Sequence, residues 1–356
     1  MIKWFIENYS EYVTQMRECS YHSNNYTNLH HLEGDVWSHT MLSFSKGLNF
    51  EVSKVILLSL FFHDIGRIKT RHINKDGSLS FGDFEGVSCF IAVEMLNKLD
   101  LSENEKVKIL KIIMYQYNVI DFVKYDDISW EKFVEKYKYD EELVKDLFSY
   151  VKCDLFGRFI DKSKAKYYNL NKILTYEKKA SSLNIQIPQK DIAKKDVYIL
   201  VGLPCAGKST WIEQNFPNSH VISRDDTVSE IGKRHNVYTY DESSYLEDTN
   251  EDISREVDAL YNQLIKESFE INLPVIIDNT SVTISKRKKW IDKYKDTHNV
   301  YAVVFLKSYQ QVIDCNTKRT KSENKTVDHE TILKQMINFR IPMLNEGFCE
   351  VKYVFN

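Results

Sequence analysis

The sequence predicts a two-domain protein, in which an all-α N-terminal half is followed by an α/β half built on a parallel sheet. Its 356 residues are enough for about two domains, each with its own core. In the first half apolar residues recur at the three- and four-residue spacing of helices, as at Val52, Val55, Ile56 and Leu60. In the second half short β-branched runs alternate with helical stretches, which is the pattern of a parallel sheet covered by helices.

The helical periodicity lapses between Lys178 and Lys195, in a polar segment that carries one proline. We therefore place one domain at residues 1–185 and a second at residues 192–356. The cysteines are scattered without a CxxC pair, and the longest nearly apolar run, residues 55–62, is far shorter than the about 20 residues that span a bilayer. The first residues lack the pattern of a signal peptide. We expect a cytoplasmic protein without membrane contact.

The predicted elements of the second half follow one another in strand and helix order. The strands are short, and one of the helices between them is long. The predicted strands are residues 197–201, 220–222, 275–277 and 300–306, and the predicted helices are residues 209–215, 254–271, 285–295 and 310–319.

The charges of the chain nearly balance, with a formal net charge of −3. Any contact with nucleic acid must therefore be local. Two basic groups are candidates for such a contact, although a solvated helix face explains each of them as well. They are the run from Lys286 to Lys289 and the group Lys318, Arg319, Lys321 and Lys325.

The most specific motif is a glycine-rich loop, GLPCAGKST, which directly follows the first predicted strand and opens a helix. Its glycines let the backbone wrap a phosphate, while backbone amides and the helix N-terminus favour negative charge. Lys208 reaches the β- and γ-phosphates, and Ser209 can hold Mg²⁺. The sequence thus predicts that ATP and Mg²⁺ are bound by Gly202, Cys205, Ala206, Gly207, Lys208, Ser209 and Thr210.

Acidic residues follow two further predicted strands. Asp225 lies in SRDD after residues 220–222, and Asp278 follows residues 275–277, so both reach the sheet edge beside the phosphates. A carboxylate there can accept a hydroxyl proton, which suits a kinase, although a helix cap or a turn also explains each residue. Arg319 ends a later helix, where it can neutralise charge on the transferred phosphoryl group.

The order of these segments resembles that of the 5′-hydroxyl polynucleotide kinases. The resemblance rests on GLPCAGKST, SRDD, PVIIDNT, NTKR and FRIPMLNEGF, and covers nearly all of residues 196–356. It implies that Asp225 is the general base, that Arg319 is the lid arginine and that Asp278 lies near the acceptor. The phage kinases carry an arginine where this chain has Val228. Acceptor phosphate must therefore bind elsewhere, and the candidates are Arg224, Lys233 and Arg234.

Four residues of the N-terminal half form a candidate metal site. His39 lies on a predicted helix, the pair His63 and Asp64 follows the apolar run, and Asp154 lies far downstream. This mixed set of nitrogen and oxygen ligands suits Mn, Fe, Ni or Co better than a closed structural zinc site. A lone histidine is usually a core residue, but an adjacent buried histidine and aspartate are costly without a metal or partner.

These residues and their spacing resemble the HD phosphohydrolase superfamily over about residues 26–160. The resemblance implies that His39, His63, Asp64 and Asp154 bind a divalent metal, which is Mn, Ni, Co, Fe or Zn. Many members carry two further histidines, where this chain has Phe84 and Gln116, so we expect one metal ion rather than two. Candidates for phosphate contact or for support of the ligands are His31, Glu33, Arg67 and Lys69.

The order of the two halves resembles the bacterial bifunctional end-healing enzymes known as HD-Pnk. It implies ATP-dependent phosphorylation of 5′-hydroxyl ends of RNA or DNA, and metal-dependent removal of 2′,3′-cyclic phosphate or of 2′- or 3′-phosphate. A polynucleotide ligase would be a partner. Two alternatives remain open. The P-loop half phosphorylates a small molecule or nucleoside, or the N-terminal half is a nucleotide phosphohydrolase or a non-catalytic module that docks nucleic acid.

Overall fold

A computed structural model describes residues 1–125, 128–184, 187–323 and 325–356. The chain divides into two compact units, Met1–Ile187 and Pro188–Asn356, and the division falls inside the polar segment between Lys178 and Lys195. Within the described ranges, no helix combines the length and the apolar character that a membrane span requires.

The N-terminal unit is a bundle of helices. Several helices begin at a side-chain cap: the Asp35 carboxylate accepts from the backbone N–H of Ser38, and Ser102 forms a capping box with Glu105. The helices are α1 (Ile2–Asn8), α2 (Ser10–Glu18), α3 (Val36–Asn49), α4 (Lys54–Phe62), α5 (Arg67–Thr70), α6 (Glu85–Leu96), α7 (Glu103–Lys124), α8 (Trp130–Glu135), α9 (Glu141–Phe156) and α10 (Leu170–Ala180).

Helix α4 is the centre of this bundle. Its sequence KVILLSLFF is apolar on nearly all sides, and Leu58, Leu60, Phe61 and Phe62 are buried. The helix packs against α3, α7 and α9. Residues that follow its C-terminal end therefore lie between side chains of α3 and α9.

A small β-hairpin lies between two of the helices, and this hairpin was not predicted from the sequence. Strands β1 (His72–Ile73) and β2 (Leu79–Ser80) pair antiparallel around a turn in which Gly77 has a φ of 82°. Strands of two residues are too short to show an alternating pattern, so only the turn residues Asp76 and Gly77 marked this place in the sequence.

The C-terminal unit contains a five-stranded sheet in which every pair is parallel, with strand order β4-β5-β3-β6-β7. The predicted combination of a helical N-terminal region and an α/β region with a parallel sheet is therefore confirmed. The elements are β3 (Lys195–Val201), α11 (Lys208–Asn215), β4 (His220–Ile222), α12 (Arg224–Arg234), α13 (Tyr240–Thr249), α14 (Glu251–Glu270), β5 (Val275–Ile277), α15 (Ile284–Tyr294), β6 (His298–Leu306), α16 (Tyr309–Glu323), α17 (His329–Asn338) and β7 (Glu350–Phe355).

Four of these elements, α12, α13, α17 and β7, were not predicted from the sequence. Helices α12 and α13 are rich in charged residues and bury few side chains, and each begins at a hydroxyl cap, Ser223 or Thr239. Strand β7 is the edge strand beside β6, and none of its residues is fully buried. Elements that bury little apolar surface leave a weak hydrophobic period in the sequence.

The basic run from Lys286 to Lys289 is not a continuous cationic surface. Arg287 is completely buried on α15, because helical periodicity turns one residue of the run towards the interior. Its guanidinium binds both carboxylate oxygens of Glu346 at 2.7 Å and donates to the carbonyl oxygen of Arg340 at 2.9 Å. The interpretation of the whole run as a nucleic-acid contact is therefore wrong for Arg287.

Candidate functional site

The four predicted metal ligands lie together at the end of α4. Nε2 of His39 is 2.9 Å from Oδ1 of Asp154, and Nε2 of His63 is 3.6 Å from the same oxygen. Oδ1 of Asp64 is 3.4 Å from Nε2 of His63. The exposed fraction of each of the four residues is 1% or less. Helices α3 and α9 and the end of α4 thus bring ligand atoms of His39, His63 and Asp154 within 4.8 Å of one another, with Asp64 beside His63.

The protonation of His63 suits this cluster to a cation. Nδ1 of His63 lies 2.8 Å from the carbonyl oxygen of Leu60, which can only accept, so Nδ1 carries the proton. In the neutral imidazole Nε2 is then the lone pair, and this atom is buried without a hydrogen-bond partner. An unsatisfied buried nitrogen that faces two carboxylate oxygens fits a metal ion.

Two buried arginines hold the carboxylates in place from the outside. Nε of Arg67 is 2.7 Å from Oδ2 of Asp64, and Nη2 of Arg158 is 2.5 Å from Oδ2 of Asp154. Burial alone would raise the pKa of both carboxyl groups, but the neighbouring guanidinium holds each pKa well below its usual range. The hydroxyl of Tyr21 also donates to Asp64. The inner oxygens therefore remain ionised and directed at the imidazoles.

Glu33 supports the cluster from behind His39. Its Oε1 lies 2.8 Å from Nδ1 of His31 and 2.9 Å from Nδ1 of His39, and its Oε2 accepts from the backbone N–H of Phe159. Burial opposes protonation of His39, but the carboxylates of Asp154 and Glu33 on its two sides raise its pKa to about 9. The same negative charge attracts a metal cation, which would take the place of the proton.

The predicted supporting residues are placed differently from one another. Burial lowers the pKa of His31 to about 3, so this imidazole is neutral, and it stacks on Tyr21 with ring centroids 4.1 Å apart. Arg67 touches Asp64 directly. Nζ of Lys69 instead lies 3.5 Å from Oε1 of Gln15.

Phe84 and Gln116, which stand at the positions of the two absent histidines, contact other side chains. The Phe84 ring covers the Arg67 guanidinium, with 3.8 Å between the ring centroid and Cζ. Gln116 donates to the carbonyl oxygen of Ile113 and accepts from the hydroxyl of Tyr150. A cavity of about 390 Å³ adjoins this region, with Arg67, Phe84 and Tyr117 in its lining. Arg67 thus connects a solvent-accessible cavity with a carboxylate of the cluster.

The glycine-rich loop of the C-terminal unit has the geometry expected of a phosphate loop. It connects β3 to α11, and Cys205 and Gly207 have positive φ values of 60° and 93°. Nζ of Lys208 donates to the carbonyl oxygens of Leu203 at 3.0 Å and Gly202 at 3.4 Å. Burial lowers the pKa of Lys208. The loop therefore presents a partly buried cation that rests on backbone oxygens.

The two predicted acidic residues reach the same edge of the sheet. Strands β4 and β5 are neighbours, and the backbone N–H of Asp278 donates to the carbonyl oxygen of Ile222, just before helix α12, whose first turn carries Asp225. Burial raises the pKa of Asp278, while the charge of Lys208 opposes this rise. Asp225 is more open, with a side chain that is 55% exposed.

Arg319 brings a second cation to the phosphate loop. It lies on α16, and its Nε and Nη2 atoms are buried without a hydrogen-bond partner. Its charge is close enough to lower the pKa of Lys208, in addition to the larger effect of burial. Lys208 rests on backbone oxygens, and the buried Nε and Nη2 of Arg319 have no partner among the described residues, so the two cations suit the phosphates of a nucleotide.

Two contacts of Asp225 were not predicted. Nζ of Lys325 lies 2.6 Å from Oδ2 of Asp225, and the hydroxyl of Tyr240 donates to Oδ1 at 3.2 Å. Lys325 appeared in the sequence only as one of a basic group, and nothing in that group singled it out. The side chain of Lys321, from the same group, lies outside the described residues.

Arg224, which was predicted as a contact of the acceptor phosphate, already has other partners. The Arg224 guanidinium binds Glu247 at 2.5 Å and Asp258 at 2.8 Å. Val228, where the phage kinases have an arginine, is buried in an apolar cluster with Ile231 and Val257. The position of the missing arginine thus belongs to the core of the unit.

Comparison with known proteins identifies the C-terminal unit. Residues 197–342, which include Lys208, Asp225, Asp278 and Arg319, match the AAA domain family. These residues form a P-loop kinase-like domain, which implies the use of ATP and Mg²⁺. The chain is also similar to the L-seryl-tRNA(Sec) kinase of Methanococcus maripaludis, with 27% identity over 152 residues. This match covers 40% of the chain and 52% of the relative, so the chain spans about half the length of that curated protein.

Proposed function

We propose that the protein heals broken nucleic-acid ends with two separate sites. The C-terminal site transfers the γ-phosphoryl group of ATP to a 5′-hydroxyl end, and the N-terminal site removes a 2′,3′-cyclic phosphate or a 2′- or 3′-phosphate. The observation that carries this proposal is the presence, in one chain, of a P-loop kinase-like domain and a buried cluster of two histidines and two aspartates. The products are the ends that a polynucleotide ligase joins.

In the kinase site each residue has a role that its position supports. Lys208 exchanges its carbonyl partners for the β- and γ-phosphates, and Ser209 coordinates Mg²⁺. Asp225, at the open edge of the sheet, accepts the proton of the attacking hydroxyl. The unpartnered N–H groups of Arg319 neutralise the charge that develops on the transferred phosphoryl group.

In the N-terminal site, His39, His63, Asp64 and Asp154 would hold one divalent metal, which is Mn, Ni, Co, Fe or Zn. Such an ion polarises a phosphate and generates hydroxide from bound water near neutral pH. His39 loses its proton when it becomes a ligand, while Arg67 and Arg158 keep the two aspartates ionised. The contacts of Phe84 and Gln116 support a single ion.

The similarity to a known kinase supports an acceptor that is attached to a nucleic acid. The relative from Methanococcus maripaludis is a kinase of L-seryl-tRNA(Sec), which is an RNA-linked substrate. One observation favours the alternative of a small-molecule acceptor: the helix that follows Asp225 and the next one carry the carboxylates of Asp241, Glu247 and Asp258, which disfavour a polyanion.

The experiment that tests the proposal uses the full chain and labelled substrates. RNA and DNA with 5′-hydroxyl and 2′,3′-cyclic phosphate ends, and a nucleoside, are incubated with and without ATP and with each of several divalent metals. We expect ATP-dependent labelling of 5′ ends and metal-dependent opening of cyclic ends. Phosphorylation of the nucleoside alone would contradict the kinase proposal, and stable cyclic ends with every metal would contradict the phosphoesterase proposal.

Single substitutions show whether the two activities are separate. Lys208→Ala should abolish phosphoryl transfer and leave the phosphoesterase within a few-fold, whereas Asp64→Ala should lose bound metal and phosphoesterase activity together. His72→Ala is the control, because His72 is exposed on the small hairpin. Loss of both activities in a folded Lys208→Ala protein would contradict the two-site arrangement. Full hydrolysis with stoichiometric metal in Asp64→Ala would contradict the metal site.

A further inference from the structure

The acceptor side of the kinase site contains a cation that pairs with the proposed base. Nζ of Lys325 lies 2.6 Å from Oδ2 of Asp225 and 3.9 Å from the ring centroid of Tyr240. The backbone next to it is also held: the N–H of Thr326 donates to Asp241, and the carbonyl oxygen of Val327 accepts from Asn316. The contact between Lys325 and Asp225 is therefore built by the fold.

This contact occupies the carboxylate that the proposed mechanism needs as a base. Oδ2 of Asp225 already accepts from the ammonium group of Lys325, so an acceptor hydroxyl that donates to this oxygen competes with a charge-assisted hydrogen bond. Efficient transfer thus requires that something attract Lys325 away from Asp225. A lysine has a flexible stem and is a point charge, so a nearby phosphate can do this without a rearrangement of the backbone.

The other candidate cations are less well placed to bind phosphate at the acceptor. Arg224 is bound by two carboxylates, Glu247 and Asp258. Arg234 pairs with Glu230, and Lys233 lies eight residues beyond Asp225 on α12, about 12 Å along the helix. An acceptor that places its hydroxyl at Asp225 brings its next phosphate only one ribose away, within reach of the Lys325 side chain.

We propose that Lys325 determines the acceptor specificity of the kinase site: it binds the phosphate on the 3′ side of the terminal nucleotide, and in doing so it releases Asp225 to act as the base. The inference rests on the proposed kinase function. It goes further in naming the residue that makes a 5′-hydroxyl nucleotide with a 3′-phosphate a better acceptor than a nucleoside. A nucleoside leaves Lys325 on Asp225 and is therefore phosphorylated slowly.

The test compares three acceptors with the full-length protein: adenosine, adenosine 3′-monophosphate and a short 5′-hydroxyl oligonucleotide. For the unaltered protein we expect kcat/KM to be at least about tenfold higher for both acceptors that carry a phosphate, because a charge-assisted hydrogen bond contributes about 1.5 to 3 kcal/mol. Lys325→Ala should remove most of this preference. The rate with adenosine should stay the same or rise, because Asp225 is then free in every molecule.

Two further variants show that the effect belongs to the charge of Lys325. Lys325→Arg should keep much of the preference, and Lys334→Ala, which removes an exposed lysine paired with Glu330 on α17, should leave it intact. An equal loss on all three acceptors in Lys325→Ala would mean that Lys325 only orients Asp225, and it would overturn the inference. An unchanged preference would overturn it as well. Absence of transfer to any of the acceptors by the unaltered protein would instead contradict the kinase proposal, and the inference with it.

Discussion

The two candidate sites are incomplete in opposite ways. In the N-terminal cluster Nε2 of His63 is buried without a hydrogen-bond partner, and it faces the inner carboxylate oxygens of Asp64 and Asp154. In the C-terminal site the unsatisfied atoms are donors, Nε and Nη2 of Arg319, close to the cation Lys208. The first arrangement attracts a cation, and the second attracts an anion.

The two sites also differ in how far they are closed. The proposed metal ligands are exposed by 1% or less, and each aspartate is held from outside by an arginine. Asp225, by contrast, has a side chain that is 55% exposed. A metal ion requires ligands at fixed positions, whereas a kinase must admit and release an acceptor in every cycle. The difference in burial thus follows the size of what each site is proposed to bind.

The largest effect on phosphoryl transfer is expected when the unpartnered N–H groups of Arg319 are removed. Arg319→Ala should lower phosphoryl transfer by about 10³- to 10⁵-fold, the range found for arginines that neutralise a transferring phosphoryl group. The rate is measured as single-turnover transfer from labelled ATP. Arg255→Ala is the control, because this arginine is exposed on α14 and pairs with Glu251. A loss of less than tenfold would mean that Arg319 does not contact the phosphoryl group.

The next effect concerns the base. General-base steps contribute about 10²- to 10⁴-fold, so Asp225→Asn should lose that much of the transfer rate while ATP binding stays nearly unchanged. Binding is measured by titration with an ATP analogue, and transfer with an oligonucleotide acceptor. Nearly normal turnover would assign the role of base to Asp226 or Asp278.

A smaller effect is expected from the support of the metal ligands. Glu33→Gln keeps the shape of the side chain but removes the charge that orients His39. Substitution of a residue that hydrogen-bonds a metal ligand typically changes metal affinity by about 10- to 100-fold. Metal titration by calorimetry measures the change directly. Glu142→Gln, at an exposed position, should bind metal as the unaltered protein does. Equal affinities in both variants would show that Glu33 does not act on the ligands.

The smallest expected effect is on stability. Burial raises the pKa of Asp278, so its ionised form is disfavoured in the folded state and stability falls as the pH rises through the titration range of this carboxyl. Asp278→Asn removes the penalty and should raise the Tm at pH 7, with about 2 to 4 °C for each kcal/mol. The gain should shrink as the pH is lowered to about 4. A Tm that falls equally at both pH values would contradict this account.

The features that the sequence predicted best depend on local patterns. The glycine-rich loop follows β3 because a strand, a turn and a helix N-terminus are adjacent in the chain. His63 and Asp64 were candidates because they follow an apolar run, and the run becomes α4, whose position between α3 and α9 places them opposite His39 and Asp154. In both cases burial of one apolar element positions the polar residues next to it.

The contacts that the sequence did not predict depend on where distant segments meet. Lys325 and Asp225 are separated by 100 positions, and no period or motif relates them. The same holds for Arg287, whose burial shows only when its partner Glu346, 59 positions away, is known. Charged residues carry little information about burial in a single sequence, because most of them lie on the surface.

The pair formed by Arg287 and Glu346 constrains how this fold can diverge. Loss of either partner leaves a buried charge uncompensated, at about 3 to 5 kcal/mol, whereas replacement of both by apolar residues of similar volume is often neutral or stabilising. The two positions are 59 residues apart, so no single local insertion or deletion can change both. Descendants of this chain should therefore retain both charges or lose both, and the intermediates that carry one charge should be the rarest among them.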